Sequence, residues 1–145
     1  MTTVTADREV ASIDSTLVAF QKAEKNVTGQ SAEGGKLTAY SSSATFRRID
    51  AEFYGEDGRS NTSYYMTDTG LLFFVRDEVV RYEMPLANAP PHVVSSSTSR
   101  YYLSGGNLLK ADTNGKPIAA DPKKATLLAR NLADDIAQLQ SSNPP

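Results

Sequence analysis

The chain has no cysteine, no tryptophan, one histidine and no long apolar run. Without cysteine there is no disulfide, no thiol nucleophile and no thiolate metal site. His92 is the only imidazole available to a Ser-His-Asp arrangement, and no Gly-x-Ser-x-Gly elbow accompanies it. It follows Pro90-Pro91 and precedes Ser95-Ser96-Ser97, a setting that reads as solvated loop. The longest apolar run covers 71–75, far too short to span a bilayer. Met-Thr-Thr-Val lacks a basic region followed by an apolar core, so no signal peptide is expected there. Charge of neither sign dominates: 15 Lys and Arg face 17 Asp and Glu, for a net charge of −2. That balance argues against nucleic acid or an anionic membrane as partner.

What is present points to one domain over 1–145. A chain of this length buries roughly 70% of its unfolded surface, enough for a real core. Its centre lies in residues 45–84. Ile49, Ala51 and Phe53 alternate with Arg48, Asp50 and Glu52, the period of a half-buried strand. A turn is expected at 55–58, then a strand on Tyr64, Tyr65 and Met66, and a turn at Asp68-Thr69-Gly70. A further strand covers 71–76, with Leu71, Phe73 and Val75 on one face. Asp77-Glu78 reads as a polar break before another strand at 79–84, which Pro85 stops. The segment 64–72 also aligns without gaps on 101–109: Tyr-Tyr, apolar, hydroxyl, two linkers, Gly or Asn, Leu-Leu. This is one hairpin design used twice in a sheet covering 36–118.

The flanks read as helices. Val10, Ile13, Leu17 and Phe20 recur at three and four residues, which predicts a helix over 6–25, with Lys22 and Lys25 at its C-terminal end. Asp121 and Pro122 mark the start of a second helix over 121–140, striped by Ala125, Leu128, Leu132, Ile136 and Leu139. Polar loops are expected at 26–35 and at 86–98. The fold class is α+β: an antiparallel meander of about six strands with both terminal helices packed on one face.

With these residues laid out, the chain resembles a family of small exported bacterial proteins, often lipoproteins, that has no assigned activity. The resemblance runs through Leu37-Thr38-Ala39-Tyr40, Ala51-Glu52-Phe53-Tyr54-Gly55-Glu56-Asp57-Gly58-Arg59, Tyr64-Tyr65, Leu72-Phe73-Phe74-Val75, Arg100-Tyr101-Tyr102 and Leu108-Leu109-Lys110. Members carry an aromatic where Met66 and Leu103 stand here. The resemblance implies a periplasmic or envelope location and brings no catalytic residues.

The chemical candidates are sparse. Asp112-Thr113-Asn114-Gly115 opens like a calcium loop but lacks the later oxygen ligands, so it reads as a hairpin turn. Asp50, Glu52, Glu56 and Asp57 are weighed as an acidic pair for glycoside chemistry. Cross-strand pairing with Arg76, Arg81 or Arg100 is the stronger reading. Neither a catalytic residue nor a cofactor or metal site is expected. If both helices cover one face, the other presents tyrosines: Tyr54, Tyr64, Tyr65, Tyr82, Tyr101 and Tyr102, with His92 in the adjoining loop. Such rings suit a protein or small-molecule ligand, or a homodimer, because Tyr offers area and a hydroxyl at low entropy cost. The leading expectation is therefore a non-catalytic envelope binding protein using that face or the 86–98 loop. A carboxylate-dependent hydrolase and a structural or inhibitory protein are the alternatives.

Overall fold

The computed structural model describes residues 2–27, 34–55, 57–83 and 92–140, with His92 described by its backbone alone. Helix α1 (Thr3–Ser15) is followed by a 3-10 turn (Leu17–Ala19). Strands β1 (Gln21–Val27), β2 (Gly35–Ser42), β3 (Thr45–Gly55) and β4 (Gly58–Met66) come next. Then β5 (Leu72–Glu83), β6 (His92–Ser104), β7 (Asn107–Thr113) and β8 (Lys116–Ile118) lead to helix α2 (Pro122–Gln140). The strands form one antiparallel sheet in chain order, β1 to β8. The α+β class holds, and the sheet has eight strands rather than about six.

The added strands are β1 and the short β8, and three segments depart from the expected pattern. The first helix stops at Ser15, because the hydroxyls of Ser15 and Thr16 turn back to the Ser12 carbonyl at 3.0 and 2.8 Å and compete with the helical backbone. Leu17 and Phe20 still pack where the stripe pointed, but through the 3-10 turn. Lys22 and Lys25 then belong to β1, which pairs with β2 from Gln21↔Ser41 to Val27↔Gly35. Second, Asp77-Glu78 does not break the chain. Asp77 faces Thr62 and Ser99 across the sheet and accepts the Thr62 hydroxyl at 2.9 Å, so β5 runs through it. Third, the serine run is a strand: β6 pairs with β5 from Glu83↔His92 onward. Of the loop expected at 86–98, residues 92–98 are strand and 86–91 lie outside the described residues.

Both Tyr-Tyr segments lie in the first strand of a hairpin, β4–β5 and β6–β7, and the two turns differ by one residue. In the second, Gly105 and Gly106 both take positive φ (58° and 82°) and close a two-residue turn between Ser104 and Asn107. In the first, Leu71 belongs to the turn and is 65% exposed, so Met66 pairs with Leu72 as Leu103 pairs with Leu108. Each copy then carries a bulge, which puts Phe73 on the same side as Phe74. Leu71, Phe73 and Val75 therefore do not share a face.

The terminal helices do not share a face either. Neighbouring residues of one strand point to opposite sides. Tyr64, Val75 and Tyr101 pack with Ala125, Leu128 and Leu132 of α2, whereas Tyr65, Phe74 and Tyr102 pack with Ala6 and Ile13 of α1. Helix α2 touches β7 as well as β1 and β2, so the sheet bends around it, and α1 lies across the outer, convex side. Asp121 caps α2, accepting the Lys123 amide at 2.9 Å, as its sequence position requires.

Candidate functional site

On the convex side, α1 is pinned by the second tyrosine of each Tyr-Tyr pair. The Tyr65 hydroxyl donates to Asp14 (2.7 Å) and the Tyr102 hydroxyl donates to Asp7 (2.6 Å). The two carboxylates stand two helical turns apart, a rise of roughly 10 Å. The two tyrosines stand on β4 and β6, two strand spacings or roughly 10 Å apart. Those lengths match when the helix crosses the strands. Phe74, on the strand between, meets both rings edge-on at centroid distances of 5.6 and 5.0 Å.

The charges on this side are also paired. Arg48 grips Asp50 through two hydrogen bonds and reaches Asp14 at 2.8 Å. Arg76 donates to the Tyr65 hydroxyl at 3.0 Å, and Arg47 pairs with Glu9. Arg100 holds the buried Asp112 by two bonds of 3.0 Å. Asp50 thus pairs along its own strand rather than with an arginine across the sheet, and Glu52 accepts the Tyr54 hydroxyl. Burial and the Asp7 hydrogen bond push the Tyr102 hydroxyl up to about 12. Burial, then Asp14, raises Tyr65 as well. Such groups keep their protons and serve as fixed donors.

The tyrosines expected to form one open face are therefore split. Tyr65 and Tyr102 lie under α1 and Tyr64 and Tyr101 under α2; all four are buried. Tyr54 is exposed and Tyr82 half-buried, both on the far part of the sheet. His92 begins β6. The Asp112-Thr113-Asn114-Gly115 segment is the expected hairpin turn, with Asn114 and Gly115 at φ 52° and 83°. Asn61 Oδ1, on the convex side, is buried without a hydrogen-bond partner.

The concave side changes character along the strands. One cross-strand row, Ile49, Tyr64, Val75, Tyr101 and Ala111, is apolar and is covered by α2. The next row reads Ala51, Thr62, Asp77, Ser99 and Thr113. From β4 to β7, hydroxyls and a carboxylate thus replace the core two residues further along the strands, while β3 keeps Ala51. Here α2 and the sheet leave a cleft of about 360 Å³. The sheet lines it with Phe53, Ser60, Thr62, Tyr64, Asp77 and Val79; α2 lines it with Asn131, Asp134 and Asp135. Phe53 reaches the cleft because its partner across β2 is Gly35. A Cβ at Gly35 would stand 2.5 Å from the Phe53 ring and 2.3 Å from the Glu52 carbonyl oxygen. A second hollow of about 390 Å³ shares Phe53, Ser60 and Val79 with the cleft and opens toward the β3–β4 turn.

Two polar groups in the cleft stand out. Asp135 is 4% exposed and Tyr64 is 3% exposed, and neither makes a hydrogen bond to a described residue. Burial, and secondarily the neighbouring Asp134, push the Asp135 carboxyl up to about 6. Burial raises Tyr64 too, and its hydroxyl lies in the field of both Asp135 and Asp77. No Lys or Arg lines the cleft among the described residues. Nor is there, among them, a group of three or more His, Asp or Glu placed to hold a metal. No helix among the described residues is long and apolar enough to cross a membrane.

Of these cleft residues only Tyr64 was singled out from the sequence, as part of one open tyrosine face. Asp77 reads there as a strand break. Asp135 did leave a signal: it stands three residues after Leu132 and seven after Leu128, a carboxylate on an apolar stripe.

Compared with protein-family models, with curated proteins and with solved structures, the chain matches none. The class of the protein therefore rests on its own geometry: an antiparallel sheet bent around its C-terminal helix, with a polar cleft between them.

Proposed function

We propose that this chain is a non-catalytic binding protein whose small-molecule ligand occupies the cleft between α2 and the concave side of the sheet. The observation that carries this reading is Asp135, a buried carboxylate without a hydrogen-bond partner that opens onto the cleft. Burying a carboxylate costs free energy unless a partner compensates. Every other side-chain carboxylate buried in the described residues has one, since Asp112 is held by Arg100. A cleft of this volume falls within the size range of small-molecule sites, and its walls belong to rigid elements. An envelope location accompanies the proposal, supported by the family resemblance alone.

The test is a two-dimensional amide spectrum titrated with a panel of small metabolites. Binding should move the amides of Thr62, Asp77, Val79 and Asn131 before any others. Shifts confined to the convex side, or to β1 and β8, would refute the assignment.

One observation favours a second reading, a carboxylate-dependent hydrolase. An acid held near 6 beside other carboxylates can serve as a general acid. Turnover of any panel member that is abolished in Asp135→Asn, with binding retained, would select it.

A further inference from the structure

The ligand's charge can be read from the cleft. We infer that the cleft takes an organic ammonium ion, a primary amine or a quaternary ammonium, paired with the Asp135 carboxylate in an acidic lining to which Asp77 and Asp134 also belong, with Phe53 as its apolar wall. This deepens the binding reading above and rests on it.

Three observations carry it. All charged residues lining the cleft among those described are acidic, and they come from two different elements, β5 and α2. The groups facing Asp135 do not neutralise it. Asp134 stands beside it on α2 and raises it further, while β5 adds Asp77, β4 adds Tyr64 and β3 adds only Phe53 to the same cleft lining. Tyr64, a buried residue whose hydroxyl makes no hydrogen bond to a described residue, adds a polar but uncharged group to the same lining. A primary ammonium donates hydrogen bonds to such acceptors, and either cation offsets their negative charge. An anion would meet repulsion from an all-acidic set of charges, and a neutral polyol could bond the Asp135 carboxylate but would leave its charge unneutralised. A bare metal ion is a poorer fit, because no described group gathers three acidic or imidazole ligands. The Phe53 ring, packed at Gly35 and lining the cleft, supplies the aromatic surface that ammonium groups favour.

Protonation is coupled to this chemistry. Asp135 gives up its proton near pH 6 in the empty cleft, and an ammonium seated beside it draws that loss to lower pH. Affinity for amines should therefore rise with pH through about 6 and then level off.

The experiment titrates the full chain with choline, cadaverine, glucose and acetate at millimolar concentration, following the cleft amides and the heat of binding. Choline or cadaverine should shift Thr62, Asp77, Val79 and Asn131, with affinity at least about tenfold weaker in Asp135→Asn. That variant is nearly isosteric and its amide spectrum reports whether it folds. Phe53→Leu should weaken choline more than cadaverine, since a quaternary ammonium has no N–H to donate. If glucose or acetate shifts the cleft amides and the amines do not, the cation assignment is overturned while the cleft remains a binding site. If amines bind equally well to Asp135→Asn, the assignment is likewise overturned. If no probe shifts the cleft amides, both readings fall.

Discussion

The two sides of the sheet use the same residue types to opposite ends. On the convex side, Asp7, Asp14 and Asp50 each accept a hydrogen bond from a tyrosine or an arginine. On the concave side, Asp135 is at least as buried and accepts none from a described residue. A paired carboxylate fixes a helix in place; an unpaired one makes the fold less stable than it need be. The comparison separates polar groups that hold the molecule together from those that remain available to a ligand.

The comparison can be broken by substitution, and the largest effect is expected on the convex side. Phe74→Ala removes the ring between Tyr65 and Tyr102, and should cost about 3–5 kcal/mol in a urea or guanidinium unfolding midpoint. A loss below about 1 kcal/mol would show that α1 is not held through that stack.

Gly35→Ala probes how the cleft wall is set. The added carbon meets a backbone carbonyl at 2.3 Å, and backbone cannot yield as a side chain can. Destabilisation of about 2–3 kcal/mol is expected, with chemical-shift changes at Phe53. An unchanged Phe53 would mean that the ring is positioned by something else.

The opposite sign is expected at Asp135. Its folded-state value, about 6, lies above its ordinary 3.8. Between those values the folded chain holds the extra proton, so stability falls as pH rises from about 4 to about 6. Asp135→Asn should therefore be more stable than the parent at pH 8 by on the order of 2 kcal/mol, and equal to it below pH 4. Thermal unfolding at the two pH values decides the matter, and a destabilised Asn variant at pH 8 would show a hidden partner.

The smallest effect sharpens the convex side internally. Tyr102→Phe removes one hydrogen bond and should cost about 1 kcal/mol. Tyr65→Phe also strands Arg76 and should cost somewhat more, about 1–2 kcal/mol. If the order is reversed, Arg76 contributes nothing through that hydroxyl.

Sequence patterning reached further in the strands than at the ends. The alternation around Ile49, the Tyr-Tyr hairpins and the capped α2 all stand where the residues put them. The misread segments share a cause. Val10, Ile13, Leu17 and Phe20 keep a helical spacing, yet backbone competition from Ser15 and Thr16 ends the helix within it. Asp77-Glu78 and the serines look like breaks because their hydrogen-bond and ladder partners, such as Thr62 and β5, are distant in the chain. A polar residue breaks a strand only when nothing across the sheet receives it.

Taken alone, the amino-acid order determined the class of fold, the paired hairpins and the amphipathic stripe of α2, because each depends on residues within one or two turns or strands of one another. Which face each helix covers was decided only in three dimensions. So was the placing of Asp77 and Asp135 on the walls of one cleft, since it depends on how α2 lies against the sheet. Burial and the distance between charges belong to the folded packing, and those two quantities separate a carboxylate that braces a helix from one that awaits a ligand.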